Sequence, residues 1–284
     1  MDLTSLLLAW RTVRPVWIYA LILSVCVHVF GADELSSTQL ARLDSITRTY
    51  RIEMCDMTIR QAATDSIGCS MGPHLMAFTR WLVRLDKPTD EILEDIDKRY
   101  EGFVSADTHA IDTTGLQWVG SPEKTVRIVA YVSSSCNLCK HIVGSLYDSL
   151  TTGSMKNKLS LVAKPYGAGI GDIALYAAAS RGRFWDLFSQ MRKDKRRYDK
   201  KIILAMAEKI GIPAKQFESL MSMPENRRML KQSQAESAQN DVMYAPVFFI
   251  NGKRYRSYKD PQWIIDAALY EYERVRKKDQ ATQQ

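Results

Sequence analysis

Between residues 33 and 104 the apolar positions recur at the three-to-four residue spacing of amphipathic helices. STQLARLDSITRTYRIEM carries the first such pattern, and HLMAFTRWLVRL resumes it after Gly72-Pro73. Pro88-Thr89-Asp90 opens a third, TDEILEDIDKRYEGFV, with Thr89 as the expected N-cap. No strand-like alternation interrupts the three. Ser105 to Lys124, SADTHAIDTTGLQWVGSPEK, is rich in turn formers and reads as a linker. Beyond it the period changes: TVRIVAYV is a short β-branched run bounded by turn residues, as expected of a buried strand. A helix, KHIVGSLYDSL, a second strand, KLSLVAKPYG, and a long helical stretch to Asn240 follow. In that stretch Phe184, Trp185 and Phe188 fall on an expected core face. PVFFI and KRY flank Asn251-Gly252, a strong hairpin signal. Asp260-Pro261 then starts a last helix, PQWIIDAALYEYERVRKK, with cations expected in its final turn.

The order strand, helix, strand, several helices, hairpin, helix predicts an α/β layout with a helical insertion. The predicted organisation is residues 1–32 as signal peptide or membrane anchor, 33–104 as a small all-helical domain, 105–124 as linker and start of the next domain, and 125–284 as the α/β domain. The N-terminal assignment rests on Arg11 and Arg14 preceding an uncharged apolar run, Val16 to Ala32. That run lies between a signal-peptide core and a minimal membrane span, and Val29 and Gly31 form a small-residue cleavage pattern. Cleaved or retained, it predicts delivery of the rest of the chain to the non-cytoplasmic side, periplasmic or otherwise extracytoplasmic.

Composition alters this picture little: 284 residues, 46% hydrophobic and 25% charged, provide for one large domain or two modest ones. The formal charge of +7 raises the question of nucleic acid. Its densest basic run, Arg192 to Lys201, includes two aspartates and lies between helical patterns, so it reads as a solvated helix end and no nucleic-acid partner is expected.

Export changes the meaning of the cysteines. Cys26 lies inside the apolar run, leaving Cys55, Cys69, Cys136 and Cys139, an even number for an oxidising compartment. Cys136 and Cys139 stand in SSSCNLCKH, directly after a predicted strand and at the start of a predicted helix. There unpaired backbone N–H groups and the positive end of the helix dipole favour a thiolate. This predicts a catalytic pair, with Cys136 nucleophilic and Cys139 the buried resolving thiol. A structural zinc site would need two more ligands at suitable spacing, and covalent haem attachment would need histidine where Lys140 stands. No metal or cofactor is expected.

Residues 119–284 resemble the DsbA-like branch of the thioredoxin superfamily, the exported thiol-disulfide oxidoreductases of bacteria. The resemblance is carried by the strand entering CNLCKH, by ALYAAASRGRFWDLF and AMAEKIGI, and above all by APVFFINGKRY. It implies a thioredoxin-like fold, a cis peptide before Pro246, and a loop at Ala245 and Pro246 that lies against the redox pair and binds substrate main chain. It further implies protein thiols or disulfides as substrates and a membrane or soluble partner that recycles the pair. The chain departs from the best-known members at Asn137-Leu138, where a histidine-bearing dipeptide is replaced. Leu138 donates neither charge nor side-chain hydrogen bond to the Cys136 thiolate, which predicts a weaker oxidant, or a reductant. Lys140 and His141 are the nearby candidates for restoring positive potential, if they do not face solvent.

Residues 40–104 resemble, less closely, the CcmH-like helical thiol proteins of cytochrome c maturation. MCDMT stands where that family has Cys-x-x-Cys, Asp65-Ser66 matches its Asp-Ser, and PTDEILEDIDKRYEGFV resembles its Ser-Asp-Glu helix followed by Arg-Tyr-Gly-Asp-Phe-Val. The second cysteine is replaced by Thr58, so Cys55 has no CxxC partner. Cys55 and Cys69 are candidates for a structural disulfide, with an accessory redox role or free thiols as the alternatives. One continuous helix would hold them about 20 Å apart, so bonding requires a bend, for which Thr64 to Gly72 is suited.

Overall fold

The computed structural model describes residues 34–52, 55–65, 68–69, 71–101, 107–120, 123–255 and 260–282. The predicted signal or anchor segment lies outside the described residues. Within them no helix is long and apolar enough to cross a membrane.

The first part is built on α1 (Ser37–Thr49), α2 (Ile59–Thr64), α3 (Gly72–Arg84) and α4 (Thr89–Glu101). Ser36 caps α1 and exchanges hydrogen bonds with Gln39, which fixes where that helix begins. The helix ends at Thr49, short of the RIEM expected to continue it. Arg51–Ile52 (β1) and Met57–Thr58 (β2) instead pair antiparallel around a turn in which Asp56 has φ 53°. This small hairpin is the strand pairing that the apolar pattern does not disclose, because two-residue strands carry no readable alternation. Thr58 ends it by capping α2 with Gln61, a second capping box. Thr89 is the first residue of α4 and not its cap; the Pro88 carbonyl accepts the helix's early hydrogen bond from the Ile92 N–H.

The bend between α2 and α3 is where the two cysteines meet. Cys55 and Cys69 are disulfide-bonded, with Cα atoms 5.6 Å apart. Gly72 makes the turn possible: a Cβ there would lie 2.0 Å from the Ala62 carbonyl oxygen. Leu43, Ile46, Ile59, Leu75, Leu82, Ile92 and Ile96 close this core around the disulfide.

The second part is a four-stranded sheet in the order β4-β3-β5-β6, where β3 is Arg127–Val132, β4 Ser160–Pro165, β5 Val247–Ile250 and β6 Lys253–Tyr255. β3 runs parallel to β4 and antiparallel to β5, and β5–β6 is the Asn251-Gly252 hairpin, both residues having positive φ. Period-two alternation sorts the central strand into two cores. Ile128, Ala130 and Val132 join the core under the helices, while Val129 and Tyr131 face a smaller one closed by Ile111, Leu116 and Trp118. The segment read as a linker is therefore packed on the sheet, and Thr108 and Val119 form bridges to Lys253 and Leu161.

Between β3 and β4 runs α5 (Asn137–Thr151); between β4 and β5 lie α6 (Ile170–Ala179), α7 (Phe184–Lys193), α8 (Lys200–Lys209), α9 (Ala214–Ser222) and α10 (Pro224–Gln239). Phe184, Trp185 and Phe188 are buried in the larger core, as their spacing predicts. The last helix, α11 (Pro261–Thr282), continues past Arg274–Lys278, so the cations expected in its final turn precede it.

α11 belongs to both parts. Ile264, Ile265, Ala268 and Leu269 face the α/β core, whereas Trp263 and Tyr270 pack on the N-terminal helical core. At the seam Arg99 of α4 forms a buried ion pair with Asp266 of α11, and its guanidinium lies 4.4 Å from the Phe78 ring centroid. The Tyr255 hydroxyl lies 3.1 Å from the Arg99 carbonyl and 3.2 Å from that of Trp263.

Candidate active site

β3 emerges from the sheet at Val132, and the chain turns through Ser133, Ser134 and Ser135 before entering α5. Two interactions hold that turn. The Cys136 N–H donates to the Ser133 carbonyl (3.0 Å), and the buried Asp172 carboxylate accepts from the Ser134 N–H (2.9 Å) and hydroxyl (2.8 Å). Asp172, the third residue of α6, also accepts from the Gly169 N–H at 3.2 Å, so one carboxylate joins the end of β3 to the start of α6. Burial raises its pKa, and the donors from Ser134 and Gly169 oppose the rise. Nothing in the spacing singles out Asp172 as part of this site; it lies 38 residues from Ser134 in sequence and only the fold joins them.

Cys136 is the N-cap of α5, with extended backbone (φ −85°, ψ 109°). Its Sγ accepts the Cys139 N–H at 3.0 Å, the place usually taken by a serine or aspartate oxygen. Cys139 is fully buried one turn on, and both cysteines are thiols here. The environments push the two thiols apart. The Cys139 thiol beside it, with the backbone N–H groups of Cys139 and Leu138 and then the Lys140 charge, brings the Cys136 thiol down to about 6 against the opposing effect of burial. Burial, then the hydrogen bond to Cys136, drives the Cys139 thiol strongly upward. One sulfur is thus prepared to ionise and the other to remain protonated.

Of the two cations flanking the pair, Lys140 is buried and does not face solvent. Its Nζ donates to the Tyr198 hydroxyl (2.9 Å) and the Asp194 carbonyl (3.1 Å), and burial lowers its pKa. His141 is exposed. Tyr166, following β4, feels both sulfurs: burial first, then the Cys139 and Cys136 charges, pushes its hydroxyl up to about 12.

The loop before β5 closes the site. The Ala245–Pro246 peptide is cis. The Cys136 thiol donates to the Ala245 carbonyl at 3.4 Å, although 109 residues separate them. Leu138, Met243 and Tyr244 are exposed apolar side chains on the segments that carry the pair and the loop. The structure thus brings Cys136, Cys139, Ala245 and Pro246 together and leaves Cys55 and Cys69 in the other core.

Comparison with known proteins places the fold. The thioredoxin family described as "Thioredoxin" matches residues 112–267, beginning inside the segment read as a linker. The chain belongs to the thioredoxin family. Among solved structures, oxidised BdbD from Bacillus subtilis superposes with a TM-score of 0.51 at 13% identity, covering 58% of this chain and 96% of that one. A thioredoxin-like oxidoreductase from Silicibacter pomeroyi gives 0.48 at 21% identity, over 58% and 94%. The oxidoreductase DsbA from Xylella fastidiosa gives 0.48 at 13%, over 61% and 98%. No curated protein sequence matches the chain. The thioredoxin-like fold expected of this region is thereby shown; the likeness of residues 40–104 to CcmH proteins is not.

Proposed function

We propose that this protein is an extracytoplasmic thiol-disulfide oxidoreductase that exchanges disulfides with protein substrates through Cys136 and Cys139. One observation carries the reading: an ionisable sulfur caps a helix 3.4 Å from the carbonyl that precedes a cis proline, with a second, buried thiol one turn behind it. In the reductive direction the Cys136 thiolate attacks a substrate disulfide, forming a mixed disulfide and releasing one substrate thiolate. Cys139 then gives up its proton and attacks Cys136 Sγ, which releases the second substrate thiol and leaves the Cys136–Cys139 disulfide. Oxidation of a substrate dithiol is the same sequence reversed. The Ala245 main chain, just outside β5, is positioned to pair with the substrate strand beside its cysteine.

The replacement of a histidine by Leu138 argues for a weak oxidant, while a Cys136 thiol at about 6 argues that local N–H donors and the neighbouring thiol replace part of the lost stabilisation. The two together favour a couple between the strongly reducing and strongly oxidising members of the superfamily. Delivery across a membrane, with or without retention of an anchor, rests on the Arg11-to-Ala32 segment. A role in cytochrome c maturation has less support, since Cys55 is bonded to Cys69 and Thr58 caps a helix.

Insulin reduction and refolding of a reduced secreted protein test the proposal. Activity in either assay that is lost in Cys136→Ser supports it, and Cys139→Ser is expected to accumulate mixed disulfides with substrate. Equal activity of wild type and Cys136→Ser would reduce the CNLC pair to a structural element of a tethered binding module. The equilibrium with glutathione fixes the direction; a couple far more oxidising than glutathione would refute the weak-oxidant expectation.

A further inference from the structure

A cavity of about 460 Å³ opens where the start of α6 meets α8, α9 and α10. Its apolar lining comes from Ile170, Ile173, Met221 and Leu230, and its charged lining from Lys200, Glu218, Arg227 and Lys231. Glu218 is held by Lys200 in an ion pair. Arg227 and Lys231 have no counter-ion among the described residues, are both exposed, and lie four residues apart on α10. Like charges at that spacing repel one another across one helix face, a cost that a bound anion relieves. Among the described residues two cations without a counter-ion thus stand beside an apolar floor.

The position of this cavity gives it meaning. Gly169 is part of its wall, and the Gly169 N–H binds the same Asp172 carboxylate that holds Ser134, two residues before Cys136. Gln234, also in the wall, donates to the Gly167 carbonyl at 3.1 Å and ties α10 to the loop that follows Tyr166. The same short loop borders the cavity and is tied through Asp172 to the turn that precedes Cys136. A substrate chain extending from Cys136 past this loop meets the cavity.

We propose that this cavity selects substrates: it receives an acidic side chain, with adjoining apolar surface, from the same chain whose cysteine reacts at Cys136. This rests on the exchange activity proposed above and adds a substrate class to it. The acidic group pairs with Arg227 and Lys231, and the apolar neighbour covers Ile170, Ile173 and Leu230. Such a charge pair chiefly accelerates productive encounter and weakens as salt rises.

The test uses the reduced protein and pairs of symmetrical peptide disulfides, each pair identical except for Glu-Glu or Lys-Lys, with that dipeptide stepped one residue at a time away from the cysteine on each side in turn. Attack by Cys136 releases one peptide thiol, and resolution by Cys139 releases the other, so appearance of peptide thiol reports exchange. In at least one pair the acidic peptide is expected to react about ten-fold faster at low salt, with the difference shrinking at high salt. Arg227→Glu/Lys231→Glu is expected to invert the preference, Arg227→Gln/Lys231→Gln to abolish it, and both to leave the rate with hydroxyethyl disulfide unchanged. Equal rates within every pair with the wild type, or the wild-type preference retained in the double variants, overturn the selectivity alone. Failure of the wild type to react with any peptide or with hydroxyethyl disulfide overturns the exchange activity and the selectivity together.

Discussion

At the scale of single residues, Cys136 does two jobs with one sulfur: it caps α5 and it is the group prepared to ionise. Reduced protein should be alkylated by iodoacetamide with a midpoint near pH 6, measured by mass shift, while Cys139 stays protected. A cysteine thiol in an unfolded chain titrates near 8.5, so the folded value is depressed. The stability this contributes to the reduced form is fully present above about 8.5 and is lost as pH falls through about 6. Urea midpoints of reduced wild type minus Cys136→Ser should therefore fall between pH 8.5 and pH 5; a pH-independent difference would contradict the assignment. Bonding to Cys139 is expected to weaken the sulfur as acceptor of the Cys139 N–H, a cap worth up to about 1 kcal/mol. Asp172 acts on the same turn from outside the chemistry. Asp172→Asn replaces an acceptor-only carboxylate by an amide that accepts through one oxygen, leaving a Ser134 donor unmet. A loss of about 1–3 kcal/mol in urea unfolding is expected.

At the scale of elements, the bend from α2 to α3 is the feature most exposed to single changes. Cys55→Ser/Cys69→Ser reopens a loop closed by cysteines 14 residues apart and should cost about 3 kcal/mol, read by urea unfolding with and without reductant. Gly72→Ala drives a methyl group against the Ala62 carbonyl and should cost about 1–3 kcal/mol. Much of the architecture was legible at this scale. The cysteine pair after a strand and the Asn251-Gly252 hairpin each depend on neighbours in sequence, and local chemistry announces them; the cis peptide before Pro246 is implied only by the family resemblance. The β1–β2 hairpin was not legible, because each strand is two residues long and Asp56 is an unremarkable turn former. The burial of Lys140 and the joining of Asp172 to Ser134 were hidden for another reason: helical position gives the direction of a side chain but not what the insertion places above it. Segment 107–120 reads as linker by composition, yet its turn residues punctuate a chain pressed against the sheet.

At the scale of the whole molecule, the helical part and the α/β part share α11. Asp266→Ala removes one partner of a buried ion pair and leaves the Arg99 charge uncompensated, an expected loss of about 3–5 kcal/mol. Coincident urea transitions by tryptophan fluorescence and circular dichroism are expected for the wild type, since Trp263 sits in the seam and helices lie on both sides of it. Two separate transitions would mean that the seam is weaker than its buried contacts imply. The shared helix also has a consequence for biogenesis. Residues 34–101 leave the ribosome long before α11, and the surface that Trp263 and Tyr270 cover is completed only when that helix arrives. During synthesis the earliest helices remain an unfinished shell, and Cys55 and Cys69 are within reach of other thiols until the last segment docks.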